Sequence, residues 1–292
     1  MGLLLAALAS ISFVILDILR KVLGGRLPTA AIVIGINLGS GFVFLLALAF
    51  RGGWAFDLLF LLIAGVEAIT ITIASIFYVQ AVTMSPLSLT IPYLSFTPVI
   101  SAVIGMFALG EIPSPRGFTG IGLVVAGALI LHTGDGSRFR DLLYAPFREP
   151  GSWRMLAVAA IFGVTTVLDK IAIRHGSEPL LGLVLTLGSS AILGGVVLLR
   201  SRLMPSEWGP ERAQRKPWKE PLLYLAALVA GMAVLSQFFA YSYLFVSYVE
   251  TIKRAGGLFS VLIGIVAFRE GNFRRRLPAA ALMVLGITLI VF

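Results

Sequence analysis

Ten long apolar stretches divide this sequence, and they restrict what it can fold into more than any other feature. Each has about 18 residues or more, the length at which a helix crosses the hydrocarbon core of a bilayer. Hydrophobic residues make up 58% of the chain and charged residues 13%, which excludes a water-soluble globule. The pattern predicts an all-α integral membrane protein with ten transmembrane helices. The stretches are Gly2 to Val22, Thr29 to Phe50, Ala55 to Thr83, Leu87 to Leu109, Arg116 to His132, Trp153 to Ile173, Leu180 to Leu199, Pro221 to Val246, Tyr248 to Phe268 and Arg276 to Phe292.

The second half of the sequence repeats the first. Ser101 to Glu111 aligns with Ser260 to Glu270 at an offset of 159 residues, and Leu16-Asp17 aligns with Leu168-Asp169 at an offset of 152. Five apolar stretches fall in each copy, and an odd number makes the second copy enter the membrane from the opposite face. We therefore predict two inverted five-helix repeats with a binding site between them. The predicted division is a first repeat at 1–133, a connector at 134–152 and a second repeat at 153–292.

The residue types in the chain exclude several kinds of function. It has no cysteine and only two histidines, His132 and His175, which rules out thiolate metal sites and leaves little for a metal cluster. No nucleophile elbow, phosphate-binding loop or cluster of His, Asp and Glu is present, so we expect neither catalysis nor a cofactor. The net charge of +9 is explained by loops that face anionic lipid. The expected partners are a small molecule and membrane lipids, without nucleic acid, in a monomer or homodimer; an accessory membrane subunit is the alternative.

Basic residues are distributed unequally between the two predicted faces. Seventeen Lys and Arg residues flank the loops 1–2, 5–6, 7–8 and 9–10. The other face has three, or five if Lys253 and Arg254 are counted there. The positive-inside rule then predicts that both termini lie outside the cytoplasm, with Arg200 to Glu220 inside. A multi-pass protein of the cell (inner) membrane is expected.

Short motifs in both copies resemble the EamA-type members of the drug/metabolite transporter superfamily. In the first copy, Phe77 to Ala81 and then Pro98 follow the pattern of that family. The second copy keeps Phe239-Ala240 but has Gly257 where the pattern has proline, and both copies then carry the aligned glutamates. The resemblance implies ten helices in two inverted repeats around a central substrate cavity, in a transporter rather than an enzyme. Relatives commonly have cytoplasmic termini, which is opposite to the orientation that the charges predict.

Charged side chains inside the apolar stretches are the candidates for function, since a charge deep in a bilayer costs at least roughly 2.5–3.5 kcal/mol. Lys253 and Arg254 are adjacent in the ninth stretch, and Glu250 can neutralise one of them through a contact one helical turn away. The remaining cation favours an anion, and Arg with Lys suits phosphate oxygens. A structural ion-pair cluster is the alternative.

The same segment resembles the ninth helix of plastid phosphate translocators. Ile252-Lys253-Arg254, followed by Phe259-Ser260 and Phe268, carries this resemblance, which implies that Lys253 and Arg254 bind a substrate phosphate. The translocators use a further lysine in their first repeat, whereas Leu94 and Ser95 hold the aligned positions here. We therefore predict a secondary transporter of a small organic metabolite, anionic or phosphate-bearing, that works by alternating access. The alternatives are an exporter of amino acids or other zwitterionic metabolites, and a flippase or flippase subunit for a lipid-linked phosphate.

The remaining candidates are single polar residues within the spans. Glu67 is the single charged residue near the middle of the third stretch. Its candidate roles are a proton carrier, a partner for a cationic substrate, or a partner of Lys253 or Arg254. Hydrogen-bonding residues that are candidates to line the substrate site are Asn37, Tyr78, Gln80, Tyr93, Gln237 and Tyr241. Gating or ion-pair roles are predicted for Asp17 with Lys21 at i,i+4, for Asp169 beside Lys170, and for Glu250.

Overall fold

The fold is entirely helical in the part of the chain that the computed structural model describes, residues 1–85, 90–133, 150–203, 217–256 and 273–291. Short 3-10 helices occupy 91–96 and 217–219. No strand is found in these ranges, which confirms the predicted all-α class for them. The ten α-helices within them are α1 (Gly2–Gly24), α2 (Thr29–Arg51), α3 (Leu58–Met84), α4 (Thr97–Ala108), α5 (Pro115–Thr133), α6 (Pro150–Arg174), α7 (Glu178–Leu203), α8 (Pro221–Tyr241), α9 (Val246–Arg254) and α10 (Phe273–Val291).

Six of these helices, α1, α2, α3, α6, α7 and α8, are long and apolar enough to cross a membrane. The shortest of the six is α8, whose 21 residues extend for roughly 32 Å. Large apolar side chains such as Phe42, Leu62 and Leu228 are exposed on their surfaces, as expected where a helix faces lipid instead of water.

The other four predicted spans correspond to shorter helices. Residues 91–108 form a 3-10 helix that continues into α4. The predicted stretch from Tyr248 to Phe268 is represented by α9, and the rest of that stretch lies outside the described residues. Phe259, Ser260 and Glu270, which carry parts of the sequence pattern, also lie outside them.

Proline and aspartate mark several helix starts. Pro115, Pro150 and Pro221 are the first residues of α5, α6 and α8, where the fixed φ suits the helix and the missing N–H would have no partner in any case. Asp57 caps α3, because its side chain accepts a hydrogen bond of 2.9 Å from the backbone N–H of Phe60. Pro150 falls inside the predicted connector, so α6 starts slightly earlier than the predicted second repeat.

Helices from the two halves of the chain pack against each other in pairs. Helix α1 packs along α8, and α6 packs along α3. In the sequence alignment, α6 corresponds to α1 and α3 corresponds to α8. Helix α2 contacts α7, its own equivalent, and α5 contacts α10. At the α2–α7 contact the Asn37 amide donates a hydrogen bond of 3.0 Å to Ser189 Oγ, and these residues are 152 positions apart. Two positions that the sequence alignment predicts to be equivalent thus meet at this contact.

Helices α5 and α10 approach closely at a pair of glycines. A Cβ atom placed on Gly120 would lie 2.6 Å from the carbonyl oxygen of Gly286, and the reverse distance is also 2.6 Å. Real Cβ atoms essentially never come this close to another heavy atom. Glycine is therefore required at both positions for the observed separation of the two helices.

Several helix ends lie together on what we call the N-terminal side of the protein. Gly2, at the start of α1, packs against Tyr243, which follows the end of α8. The His175 Nδ1 and Asp57 Oδ2 atoms, 2.6 Å apart, join the loop after α6 to the loop before α3. The N–H of Phe60 and the His175 ring hold the pKa of Asp57 below its ordinary value.

The opposite side, which we call the Gly24 side, gathers the other helix ends. Gly24 at the end of α1 packs against Thr83 near the end of α3. Gly151 at the start of α6 packs against Ser85, just beyond α3. Helix α6 therefore begins on the side where α1 ends.

Candidate functional site

Five polar side chains of α8 and α9 form one buried group, the Lys253 cluster: Gln237, Tyr241, Glu250, Lys253 and Arg254. Within α9, the last three of these residues are separated by three or four positions and share one helical face. Glu250 contacts both cations, at i,i+3 and i,i+4. The sequence predicted a contact of Glu250 with one of the cations, and the structure pairs it with both.

The Lys253 ammonium group is part of a closed ring of hydrogen bonds. Lys253 Nζ donates to Gln237 Oε1 at 2.6 Å and to Glu250 Oε1 at 2.7 Å. The Gln237 amide donates to the Tyr241 hydroxyl at 2.7 Å, and that hydroxyl donates to Glu250 Oε1 at 3.0 Å. The ammonium also lies 4.7 Å from the centre of the Phe13 ring, within the range of a cation–π contact. Lys253 therefore has protein partners for its donors.

Arg254 differs from Lys253 because part of its hydrogen-bonding capacity is unused. One terminal nitrogen donates to Glu250 Oε2 at 3.3 Å. The Nε atom is buried and has no hydrogen-bond partner within the described residues. A guanidinium group presents its donors in a fixed planar fork that matches carboxylate and phosphate oxygens. Within the described residues, Arg254 is thus the residue of the pair with a donor available to an anion.

A second group of charged residues, the Asp17 cluster, joins α1 to α3. The Tyr78 hydroxyl donates to Asp17 Oδ1 at 2.7 Å, and Arg20 lies 3.6 Å from the same oxygen. The Arg20 guanidinium also stacks 4.7 Å from the centre of the Tyr78 ring. Lys253 and Arg254 are within electrostatic reach of Asp17. The Asp17 cluster and the Lys253 cluster therefore lie near each other.

The ion pair predicted between Asp17 and Lys21 is not formed. Lys21 Nζ instead donates to the backbone carbonyls of Val82 and Ser85, at the end of α3. The last carbonyls of a helix have no partner within that helix, so a nearby ammonium group stabilises them. Asp17 pairs with Arg20, one position closer along α1.

Lys170 is paired with Glu111, and not with its neighbour Asp169. Lys170 Nζ lies 2.6 Å from Glu111 Oε1 and donates to the carbonyl of Leu244 at 2.8 Å. The other oxygen of Glu111 accepts a hydrogen bond of 2.8 Å from the N–H of Val246, the first residue of α9. Glu111 thereby links the end of α4, α6 and the start of α9. In the sequence, Glu111 was part of the alignment of the copies and of the family resemblance, and its recurrence at Glu270 was the signal for such a role.

Glu67 and Asp169 are buried carboxyl groups that form no ion pair in the described part of the chain. Glu67 is 1% exposed, and neither of its oxygens has a hydrogen-bond partner there. The predicted alternative that Glu67 pairs with Lys253 or Arg254 is therefore wrong. Asp169 is 7% exposed and lies within electrostatic reach of Glu67 and of Lys253.

Three other predicted site residues have protein partners outside the Lys253 cluster. Asn37 bonds to Ser189, Tyr93 to Ser152, and Gln80 accepts from Arg154 at 3.1 Å. These contacts join α2 to α7, and they join α3 and the 3-10 helix at 91–96 to α6, so they hold helices together. The described residues contain no group of three His, Cys, Asp or Glu side chains that could hold a metal ion.

The first 133 residues match a known family of membrane proteins. Residues 1–133 match the family model described as "EamA-like transporter family". No curated protein matches the sequence. A solved structure titled "Crystal structure of protein" resembles the fold with a TM-score of 0.73, covering 98% of this chain and 98% of that chain at 20% sequence identity.

The match of residues 1–133 to this family indicates a membrane transporter of small molecules, because members of the family are transporters and not enzymes. The EamA-like transporter family, which residues 1–133 match, is part of the drug/metabolite transporter superfamily. The likeness to the solved structure concerns the fold alone.

Proposed function

We propose that this protein is a secondary transporter of a small organic metabolite with an anionic group, and that the substrate is phosphate-bearing. The observation that supports this most directly is the buried Nε donor of Arg254, which has no partner in the described residues. An unpaired buried donor is costly, and a substrate oxygen satisfies it. Lys253, whose donors are occupied, adds positive charge beside the same site.

The charge of the Lys253 cluster also favours an anion. Two cations, Lys253 and Arg254, share a single carboxylate, Glu250, which is 0% exposed. Burying an uncompensated charge costs several kcal/mol, so the cluster attracts an anion from water. A phosphate offers several oxygens to a guanidinium fork and to a neighbouring ammonium charge.

Transport in this proposal proceeds by alternating access between two inverted five-helix repeats, 1–133 and 153–292, joined by the connector 134–152. The equivalent packing of α1 on α8 and of α6 on α3 supports this arrangement. The opposite directions of the aligned helices α1 and α6, which begin on opposite sides, also support it. The substrate would bind between the Asp17 cluster of the first repeat and the Lys253 cluster of the second.

We place the protein in the cell (inner) membrane with both termini outside. The Gly24 side then faces the cytoplasm, because most basic residues flank helix ends on that side, Arg20 and Lys21 among them. Alternating access requires the substrate site to open to each face in turn.

A zwitterionic metabolite such as an amino acid is the second candidate substrate. The observation that favours it is a pair of buried carboxyl groups, Glu67 and Asp169, that form no ion pair in the described part of the chain, with Asp169 near Lys253 and Glu250 of the cluster. Arg254 would then bind the carboxylate of the substrate, and an acidic side chain would bind its ammonium group.

A ligand screen on purified protein tests the proposal. We expect phosphorylated sugars or nucleotides to raise the melting temperature, since a ligand that binds only the folded state stabilises it. Arg254→Ala should lose this stabilisation, with binding weakened about 100-fold or more. The matched control is Arg116→Ala, at an exposed arginine. Stabilisation by amino acids alone would favour the second candidate.

Unchanged anion binding by Arg254→Ala would refute the assignment. Counterflow of the stabilising compound in liposomes then separates a transporter from an accessory subunit, which would bind without flux. Glu250 keeps its contact with Lys253 at 2.7 Å when Arg254 is truncated, so we expect this variant to fold.

A further inference from the structure

We propose that Glu67 and Asp169 together form a proton-binding site, and that the protein moves a proton in the same direction as its anionic substrate. This inference rests on the proposed anion transport and names the coupling ion for it. It is carried by the position of two carboxyl groups on facing helices, α3 and α6, beside the Lys253 cluster.

Glu67 holds a proton in the conformation described. Its side chain is among the largest fully buried ones, and both carboxyl oxygens lack a hydrogen-bond donor within the described residues. Helices α3 and α6 pack antiparallel, because Gly151 lies beside Ser85 and Gly176 beside Phe60. The same register puts Glu67 and Asp169 at one level of the two helices, and Asp169 is the ionisable group that acts on Glu67 in the described part of the chain. A carboxylate with neither a counter-ion nor a donor is strongly disfavoured in such an interior, whereas the protonated acid is neutral.

Asp169 connects this proton to the substrate site. The groups that face it are Glu67 from α3, Tyr241 from α8, and Glu250 and Lys253 from α9. No hydrogen bond or ion pair to Asp169 is found in the described ranges. Its neighbour on α6, Lys170, does not neutralise it, since Lys170 pairs with Glu111. Two neighbouring buried carboxyl groups resist being ionised together, so the pair binds and releases a proton as one unit.

Protonation of the pair changes the charge that an anion meets. When Asp169 is ionised, it compensates the surplus cation of the Lys253 cluster, and an anion gains less by binding. When Asp169 is protonated, the surplus cation is restored near Arg254. By thermodynamic reciprocity, anion binding then favours proton binding by the same factor. A monoanion and a proton bound together add no net charge, which lowers the cost of crossing the membrane.

The pH dependence of sulfate binding tests this coupling. Sulfate keeps its charge across neutral pH, so any change in its binding reports on the protein. For the wild type we expect sulfate affinity, measured from thermal stabilisation in detergent, to fall by up to about tenfold per pH unit as the pair ionises. Addition of sulfate to a weakly buffered sample should cause proton uptake, measured with a pH indicator dye.

Variants locate the proton. Glu67→Gln and Asp169→Asn mimic protonated carboxyl groups, so sulfate binding should become less dependent on pH and proton uptake should decrease. The matched control is Asp57→Asn, at a carboxyl group that is half exposed; it should keep the pH dependence of the wild type.

The outcomes separate the two proposals. Sulfate binding by the wild type without pH dependence or proton uptake would overturn the coupling and leave the anion site intact. Wild-type pH dependence retained in both Glu67→Gln and Asp169→Asn would overturn this site. No sulfate binding at any pH would refute the anion site, and with it the coupling.

Discussion

Replacing Glu250 by glutamine tests whether the Lys253 cluster is held together by charge. The substitution keeps the size of the side chain but removes the negative charge that Lys253 and Arg254 share. One acceptor oxygen also becomes an amide N–H₂ group. Oε1 accepts from Lys253 and Tyr241, and Oε2 accepts from Arg254, so the amide must face at least one donor.

The distances give the size of the effect. The two ion pairs measure 2.7 and 3.3 Å, for which Coulomb's law at an effective dielectric constant of about 20 gives roughly 6 and 5 kcal/mol. Desolvation offsets much of this attraction. Removing one partner of a buried pair typically costs about 3–5 kcal/mol because the other charge is left uncompensated. For a protein of this size, a fall in melting temperature on the order of 10 °C is expected.

Thermal unfolding in detergent, at constant ionic strength, measures this loss. Two uncompensated cations should make the variant depend on anions, so sulfate should stabilise Glu250→Gln more than it stabilises the wild type. The control is Asp57→Asn, because Asp57 pairs with His175 at 2.6 Å and the Asp57 side chain is 53% exposed; we expect a much smaller fall in melting temperature. If Glu250→Gln has the melting temperature of the wild type and sulfate does not raise it further, the charge argument is refuted.

Three further predictions address packing, acid stability and orientation. Gly120→Leu should separate α5 from α10 and lower the melting temperature, because even a Cβ would lie 2.6 Å from the Gly286 carbonyl oxygen; an unchanged melting temperature would contradict this packing. The pKa of Asp57 lies below its ordinary value of 3.8, so its carboxylate stabilises the folded state above that pH and less as the pH falls through the lowered pKa. Asp57→Ala should therefore flatten the acid limb of the stability curve below about pH 5, and an unaltered limb would refute this. The chain has no cysteine, so an impermeant maleimide should label Phe56→Cys in intact cells and Trp218→Cys only after permeabilisation; the reverse pattern would overturn the orientation.

Features that depend on local spacing were predictable from the sequence. The apolar stretches predicted where helices form, because a span must satisfy its backbone hydrogen bonds within itself. The contacts of Glu250 with Lys253 and Arg254 follow from their separation by three and four residues. The positions of helices and the contacts within α9 could thus be predicted without a structure.

Contacts between helices were not accessible in the same way. The spacing of Asp17 and Lys21 permits an ion pair, but the unpaired carbonyls at the end of α3 compete for the ammonium group of Lys21. The pairing of Lys170 with Glu111 depends on how α4 packs near α6. The inequality between Lys253 and Arg254 arises from Gln237, which is on another helix. Each case needs the relative placement of helices, which hydrophobic periodicity does not specify.

The hydrogen bond between Asn37 and Ser189 joins positions that a gene duplication would have derived from one codon. In a dimer of single repeats, that position would face its own image, and one residue type would have to serve as both donor and acceptor. Fusion of the copies removes this restriction, so an amide can face a hydroxyl group. The same freedom allows each half of a duplicated carrier to acquire substitutions alone, and the energies of its inward-open and outward-open forms can then be adjusted separately.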